Sequence, residues 1–194
     1  MDDAGLLTRL SKYRPREGRN SLEDFITEAF AWLVQSDTRF QDEFLGMVCD
    51  ALNQNGQGVE WSGGDSVEWS TQESVDTYWL DMVARDPDVL FIFEHKAEAA
   101  STQEQIDHYR EAVPKIASGR ESRVVMITAH AAQFQKADAC FRWKDVHDLI
   151  KRFRNEENDN PDSDRHLADF QELLEYHGLG PADPVSRLEL QAYP

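Results

Sequence analysis

Two adjacent β-rich runs, each carrying an acid in an apolar setting, constrain this chain more than any other feature. Tyr78-Trp79-Leu80-Asp81-Met82-Val83-Ala84 is followed, after the link Arg85-Asp86-Pro87-Asp88, by Val89-Leu90-Phe91-Ile92-Phe93-Glu94-His95-Lys96. A proline and two turn-forming aspartates between apolar runs predict an antiparallel hairpin. Side chains alternate along a strand, so Ile92, Glu94 and Lys96 fall on one face and Phe91, Phe93 and His95 on the other. Asp81 lies mid-strand between Leu80 and Met82, where a carboxylate is costly to bury unless it is paired or holds a metal. The hairpin brings Asp81 near Glu94, and adjacent carboxylates repel unless a proton or a hard cation relieves them.

An E-x-K tripeptide alone is a weak signal, because many strands end in a solvated pair of this kind. Here it stands with the upstream Asp81 and with Gln105-Ile106-Asp107-His108-Tyr109, in which Gln105 and Tyr109 share a helix face at i and i+4. Together these elements resemble the active-site core of the PD-(D/E)XK nuclease superfamily, in the branch with a QxxxY motif. The string Glu23-Asp24-Phe25-Ile26-Thr27-Glu28-Ala29-Phe30 is similar to the first helix of several of its families, in which an acid points at the metal site.

The resemblance covers about residues 20–150 and implies an α/β fold with a restriction-endonuclease-like core: a central mixed sheet of four to five strands flanked by helices. It implies a metal-dependent nuclease that hydrolyses phosphodiester bonds, with DNA as the first substrate to consider. Asp81 and Glu94 would bind Mg²⁺ or Mn²⁺ with the backbone carbonyl of His95, and Glu28 would be a further ligand, directly or through water. Lys96 would act on the attacking water and the phosphate, and Gln105 and Tyr109 would orient substrate or the lysine. A literal P-D pair, Pro87-Asp88, competes with Asp81, but a turn residue so close in sequence points away from Glu94.

With 194 residues, 40% of them hydrophobic, the chain suits one domain. No apolar run approaches the roughly 20 residues of a spanning helix, and Met1-Asp2-Asp3-Ala4-Gly5 lacks a basic, signal-like start. A cytoplasmic protein with no membrane partner is expected. Cys49 and Cys140 lack C-x-x-C spacing and are expected as thiols rather than a disulfide or zinc pair. The histidines show no H-E-x-x-H spacing, and no G-x-S-x-G elbow, phosphate loop or dinucleotide fingerprint is present.

A formal charge of −17 opposes generic nucleic-acid binding, which needs a basic footprint. It favours a rival reading, a catalytically inactive acidic module or DNA mimic on the same fold, and leaves room for a homodimer or a basic protein partner. Two clusters, Arg14, Arg16, Arg19 and Lys151, Arg152, Arg154, are available to face DNA, although basic residues also gather at helix ends.

Periodicity predicts a short helix around Leu6, Leu7 and Leu10, then core-facing helices over 22–34 and 38–52. A strand is predicted at 67–71, a helix from about 103 to 118, strands at 123–128 and 139–143, and a helix from Lys144. An acidic loop is expected over 155–164, then a last helix, an extension over about 164–178, with Leu167, Phe170, Leu173, Leu174 and Tyr176 inward. Trp61, Trp69, Tyr78 and Trp79 are read first as core aromatics and second as surfaces for stacking bases.

Overall fold

The computed structural model describes residues 21–59, 64, 67–157 and 161–181. The helix expected near Leu6, the Arg14–Arg19 cluster and Trp61 lie outside these residues. Helices α1 (Ser21–Ser36) and α2 (Thr38–Gln54) precede strands β1 (Glu68–Val75), β2 (Tyr78–Arg85) and β3 (Val89–Lys96). Helix α3 (Gln103–Ile116), strand β4 (Glu121–Thr128), a 3-10 turn at Ala131–Gln133, strand β5 (Ala139–Arg142) and helices α4 (Trp143–Glu157) and α5 (Pro161–Tyr176) follow. Among the described residues no helix is long and apolar enough to cross a membrane.

Local chemistry sets several of these boundaries. Asp37 separates α1 from α2, its carboxylate accepting the amides of Arg39 at 2.9 Å and Phe40 at 3.2 Å as an N-cap. Thr102 and Gln105 form a capping box that starts α3. Pro161 opens α5, where its fixed φ suits the first turn and its missing amide costs nothing. The helix therefore begins inside the stretch expected to be an acidic loop. Trp143 likewise belongs to α4 rather than to the strand before it.

The strands form one five-stranded sheet in the order β1-β2-β3-β4-β5. The first three are antiparallel neighbours, and β4 and β5 add in parallel. This is an α/β arrangement with a mixed sheet flanked by helices, as expected. Strand β3 is central, and all of its residues are buried because helices cover both faces. Phe91 and Phe93 enter the larger core, built with α1, α2, α4 and α5. Leu90 and Ile92 enter a smaller one under α3, with Ile106, Tyr109 and Ala112. Rings fill the larger core in edge-on contacts, Phe30 against Phe44 at 4.9 Å and against Trp143 at 5.6 Å. Tyr176, expected inward on α5, is 83% exposed at the helix end. Cys49 and Cys140 are free thiols.

The β1–β2 ladder has a flaw at one level. Thr71 pairs with Met82 and Glu73 with Leu80, while the intervening Gln72 and Asp81 form no ladder pair. Gln72 takes a left-handed φ of 51°, uncommon for a side chain of this type. The strands swap faces there: Trp69 and Met82 join the larger core, whereas Val75 and Leu80 join the smaller one. Residues two apart on a regular strand share a face, so the switch between Leu80 and Met82 requires this kink. Asp81 sits on it.

His95 marks the far side of β3. Its ring is 1% exposed, 4.9 Å from Trp143, with Nδ1 2.8 Å from the Thr27 hydroxyl. Burial, helped by the Lys96 charge, lowers its pKa to about 3. A depressed histidine contributes stability that is complete above the unfolded value, about 6.5, and is lost as pH falls toward the folded value. Between pH 7 and 5, urea unfolding of wild type should therefore show an acid loss that a Thr27→Val/His95→Phe double variant lacks by about 2 kcal/mol. Parallel losses in both proteins would contradict a neutral buried His95.

Candidate active site

The kinked hairpin, the end of β3, the start of α1 and one face of α3 enclose a cleft of about 400 Å³. Its lining includes Glu23, Asp81, Glu94, Lys96, Gln105, His108 and Tyr109, together with the hairpin tip Thr77, Tyr78 and Trp79. Alternation along β3 delivers Glu94 and Lys96 to this side, the face under α3. Glu94 is 1% and Lys96 7% exposed. The Lys96 Nζ lies 2.7 Å from Glu94 Oε1 and 3.9 Å from Glu23 Oε2.

Asp81 enters from the kink in β2. The β2–β3 ladder runs only as far as Met82 and Phe93. One position further, the Asp81 carboxylate itself accepts the His95 amide at 2.9 Å, replacing a strand carbonyl. That bond holds the carboxylate against the strand carrying Glu94. Burial first, and the Glu94 charge second, push the Asp81 pKa well above its ordinary value. Burial also raises that of Glu23, against the opposing pull of Lys96. On Lys96, burial alone would lower the pKa, but the charges of Glu94, Asp81 and Glu23 outweigh it and hold the ammonium above its usual range.

Tyr109 is buried behind the acids. Its hydroxyl donates to the Trp79 carbonyl at 3.2 Å, fastening the hairpin tip to α3. Burial and the negative charges of Asp81 and Glu94 raise its pKa well above the ordinary phenol value. Gln105 lies one turn earlier, its Oε1 taking the Thr102 amide at 3.3 Å within the capping box. The His95 ring points into the opposite core, so only its backbone can face the cleft.

Of the residues singled out from sequence, the structure brings Asp81, Glu94, Lys96, Gln105 and Tyr109 together around one cleft. Glu28 is not among the lining residues, although Asp24, one turn earlier on the same face of α1, is; the Glu28 carboxylate takes the hydroxyl of Thr71. Helix α1 offers two lining acids, Glu23 and Asp24, and Glu23 Oε2 accepts the Ala97 amide at 3.0 Å just past the end of β3. Asp88 sits exposed in the β2–β3 turn, away from the cleft. Trp69 is core, whereas Trp79 is 47% exposed at the cleft. In the Lys151, Arg152, Arg154 cluster, Arg152 pairs with Glu43 at 3.6 Å and Arg154 with Asp164 at 2.8 Å, while Lys151 is exposed.

Chemically, the cleft is lined by four carboxylates, Glu23, Asp24, Asp81 and Glu94, and by one ammonium, Lys96, on which Glu94, Asp81 and Glu23 act. Glu94 Oε1 is buried and makes no hydrogen bond despite its ionic contact with Lys96. The uncompensated charge calls for a proton or a cation. All the donors are oxygens, which suits a hard divalent ion. Among the described residues no three His, Cys, Asp or Glu side chains form a ready-made metal cage. Comparison with family models, curated proteins and solved structures returns no match.

The raised Asp81 pKa has a definite sign. The folded site holds its proton more tightly than the unfolded chain, so this contribution is present below the unfolded value, about 3.9, and is lost as pH rises through the folded one. In EDTA, Asp81→Asn keeps an acceptor for the His95 amide and removes the repulsion. At pH 8 it should melt roughly 2–4 °C above wild type, the shift that about 1 kcal/mol produces in a chain of this size, with little gain at pH 4. A lower melting temperature for Asp81→Asn at pH 8 would show that Asp81 is satisfied as an anion.

Proposed function

We propose that this protein is a metal-dependent phosphodiesterase acting on nucleic acid, DNA in the first place, with a restriction-endonuclease-like core of the PD-(D/E)XK kind in a single domain. The observation that carries the reading is the convergence of Asp81, Glu94 and Lys96 in one cleft, with Gln105 and Tyr109 on its wall. Three residues from two strands and two from a helix line that cleft together, which supports the roles that the resemblance implies for them.

Asp81 and Glu94 would hold Mg²⁺ or Mn²⁺, with Glu23 nearby and the His95 carbonyl as a further donor. The oxygen donors and the excess of carboxylates over ammonium fit such an ion. Two carboxylates are a usual protein share for Mg²⁺, which keeps waters and takes substrate phosphate for the rest of its shell. When bound, the ion lowers the pKa of a coordinated water and neutralises charge on the phosphate.

The remaining work falls to side chains. Lys96, fixed by Glu94 and Glu23, directs its ammonium at a phosphate oxygen and positions the attacking water, stabilising charge as it develops. The Asp81 bond to the His95 amide keeps that carboxylate at one orientation while substrate enters. Tyr109 and Gln105 back the site from α3, Tyr109 by locking the hairpin tip in place.

The decisive measurement incubates wild type with linear, circular and single-stranded DNA in Mg²⁺, Mn²⁺ or EDTA, alongside Asp81→Ala and Lys96→Ala. Wild type should cleave only with metal. Lys96→Ala should lose about 10²- to 10⁴-fold, the worth of a positioned acid–base group, yet still gain melting temperature from Mg²⁺, at least as much as wild type, because a competing charge is gone. Asp81→Ala should lose both cleavage and the Mg²⁺ stabilisation. The charge of −17 supports a second reading, an acidic module for a basic partner. Metal-independent binding of such a partner, with no cleavage by wild type, would replace the nuclease with that module.

A further inference from the structure

Lys96 is the only lysine or arginine among the described residues that line the cleft. Its Nζ lies 2.7 Å from Glu94 Oε1 and 3.9 Å from Glu23 Oε2, on a buried side chain. The carboxylate it approaches most closely is therefore one of the two assigned above to a divalent ion. An ammonium and such an ion repel each other strongly where water is scarce, so both cannot sit at contact distance on one carboxylate. Either the lysine holds the ion off, or it has a second partner.

Glu23 is placed to be that partner. Its Oε2 accepts the Ala97 amide at 3.0 Å, so the backbone of the residue after Lys96 fixes the very oxygen that faces the ammonium. Closing the 3.9 Å gap to a charge-assisted hydrogen bond of about 2.8 Å takes a swing of roughly 1 Å, which a flexible four-carbon stem makes with no backbone shift. After burial, Asp81 is acted on by Glu94 and Lys96 more strongly than by Glu23. Glu23 thus belongs to the lysine more than to the two acids.

We propose that Lys96 is a counter-ion that changes partner: it neutralises Glu94 in the metal-free site and passes to Glu23 when Asp81 and Glu94 take a divalent ion. Glu23 is then a positioning residue for the ammonium and not a ligand of the ion. The assignment rests on the metal-dependent reading above and gives that site its third acid. The exchange frees Glu94 while the ammonium stays paired at the cleft wall, where a phosphate can meet it.

The test is a cycle of wild type, Glu23→Gln, Lys96→Met and the double variant, each titrated with Mg²⁺ by calorimetry. The glutamine side chain keeps an oxygen for the Ala97 amide. Glu23→Gln should weaken Mg²⁺ binding about tenfold in wild type and less than about twofold in the Lys96→Met background, a coupling within the range of neighbouring side chains. Equal weakening in both backgrounds, greater weakening in Lys96→Met, or none in either overturns the proposal. A second measurement needs no variant: the ammonium NMR signal of Lys96, assigned through its side-chain carbons in the wild type. On adding Mg²⁺ that signal should shift and persist, because the ammonium remains hydrogen-bonded. Its loss to exchange with water, or heat of binding with an unmoved signal, overturns the partner exchange and leaves the metal-dependent reading standing. No heat and no shift shows that no ion enters, and both fail together.

Discussion

The ion pair between Glu94 and Lys96, 2.7 Å apart and nearly excluded from solvent, is the contact on which the site depends. Strand β3 is buried along its whole length, so its last residues enter an environment where an isolated charge costs several kcal/mol. Replacing such a pair with apolar residues is often neutral or stabilising, which makes it poor evidence of a stability device. What the pair supplies is a fixed ammonium next to a carboxylate that keeps one oxygen without a hydrogen bond. Glu23 and Asp81 then add negative charge that no other lysine or arginine in the cleft answers.

The kink at Gln72 and Asp81 is the second device, and it follows from the first. A regular β2 would carry Leu80 and Met82 into the same core. The switch of face instead sends Met82 to the α1 side and Leu80 to the α3 side, and it frees the Asp81 carboxylate from the ladder to take the His95 amide. It also turns the hairpin tip toward α3, where Tyr109 and His108 hold it. A left-handed glutamine costs of order 1 kcal/mol or more, and here the strained backbone sits opposite the acid it helps to aim.

Much of this was legible in the residues because it follows from short-range rules. Alternation puts Glu94 and Lys96 on one face of β3, turn chemistry makes the hairpin, and the hairpin brings Asp81 to Glu94. Gln105 and Tyr109 follow from i, i+4 spacing on α3. Glu23 was not legible, because its place depends on where α1 crosses the end of β3, a tertiary fact; only its position in a first helical turn marked it, a setting that favours carboxylates anyway. Glu28 stood out by resemblance to a helix string; its carboxylate takes the Thr71 hydroxyl, a contact between α1 and β1 that the string does not announce. The kink carried no signal, since glutamine, unlike glycine or asparagine, does not announce a left-handed backbone. Tyr176 fits the apolar period of α5 but falls where the helix outruns the core.

The acidity of the chain bears on the site through pairing rather than through its total. Several arginines and lysines on the described surface are held by nearby acids: Arg85 by Glu73, Arg110 by Asp138, Arg142 by Asp145, Arg154 by Asp164. Each exposed pair adds little stability, about 0–1 kcal/mol, but each leaves one fewer cation to meet a phosphate backbone. Long-range attraction therefore cannot be what brings a polyanion to this cleft, and salt should matter less than for a basic binder. In the phosphodiesterase reading proposed above, binding would be short-ranged, arising inside the cleft from Lys96 and from a cation held by the carboxylates.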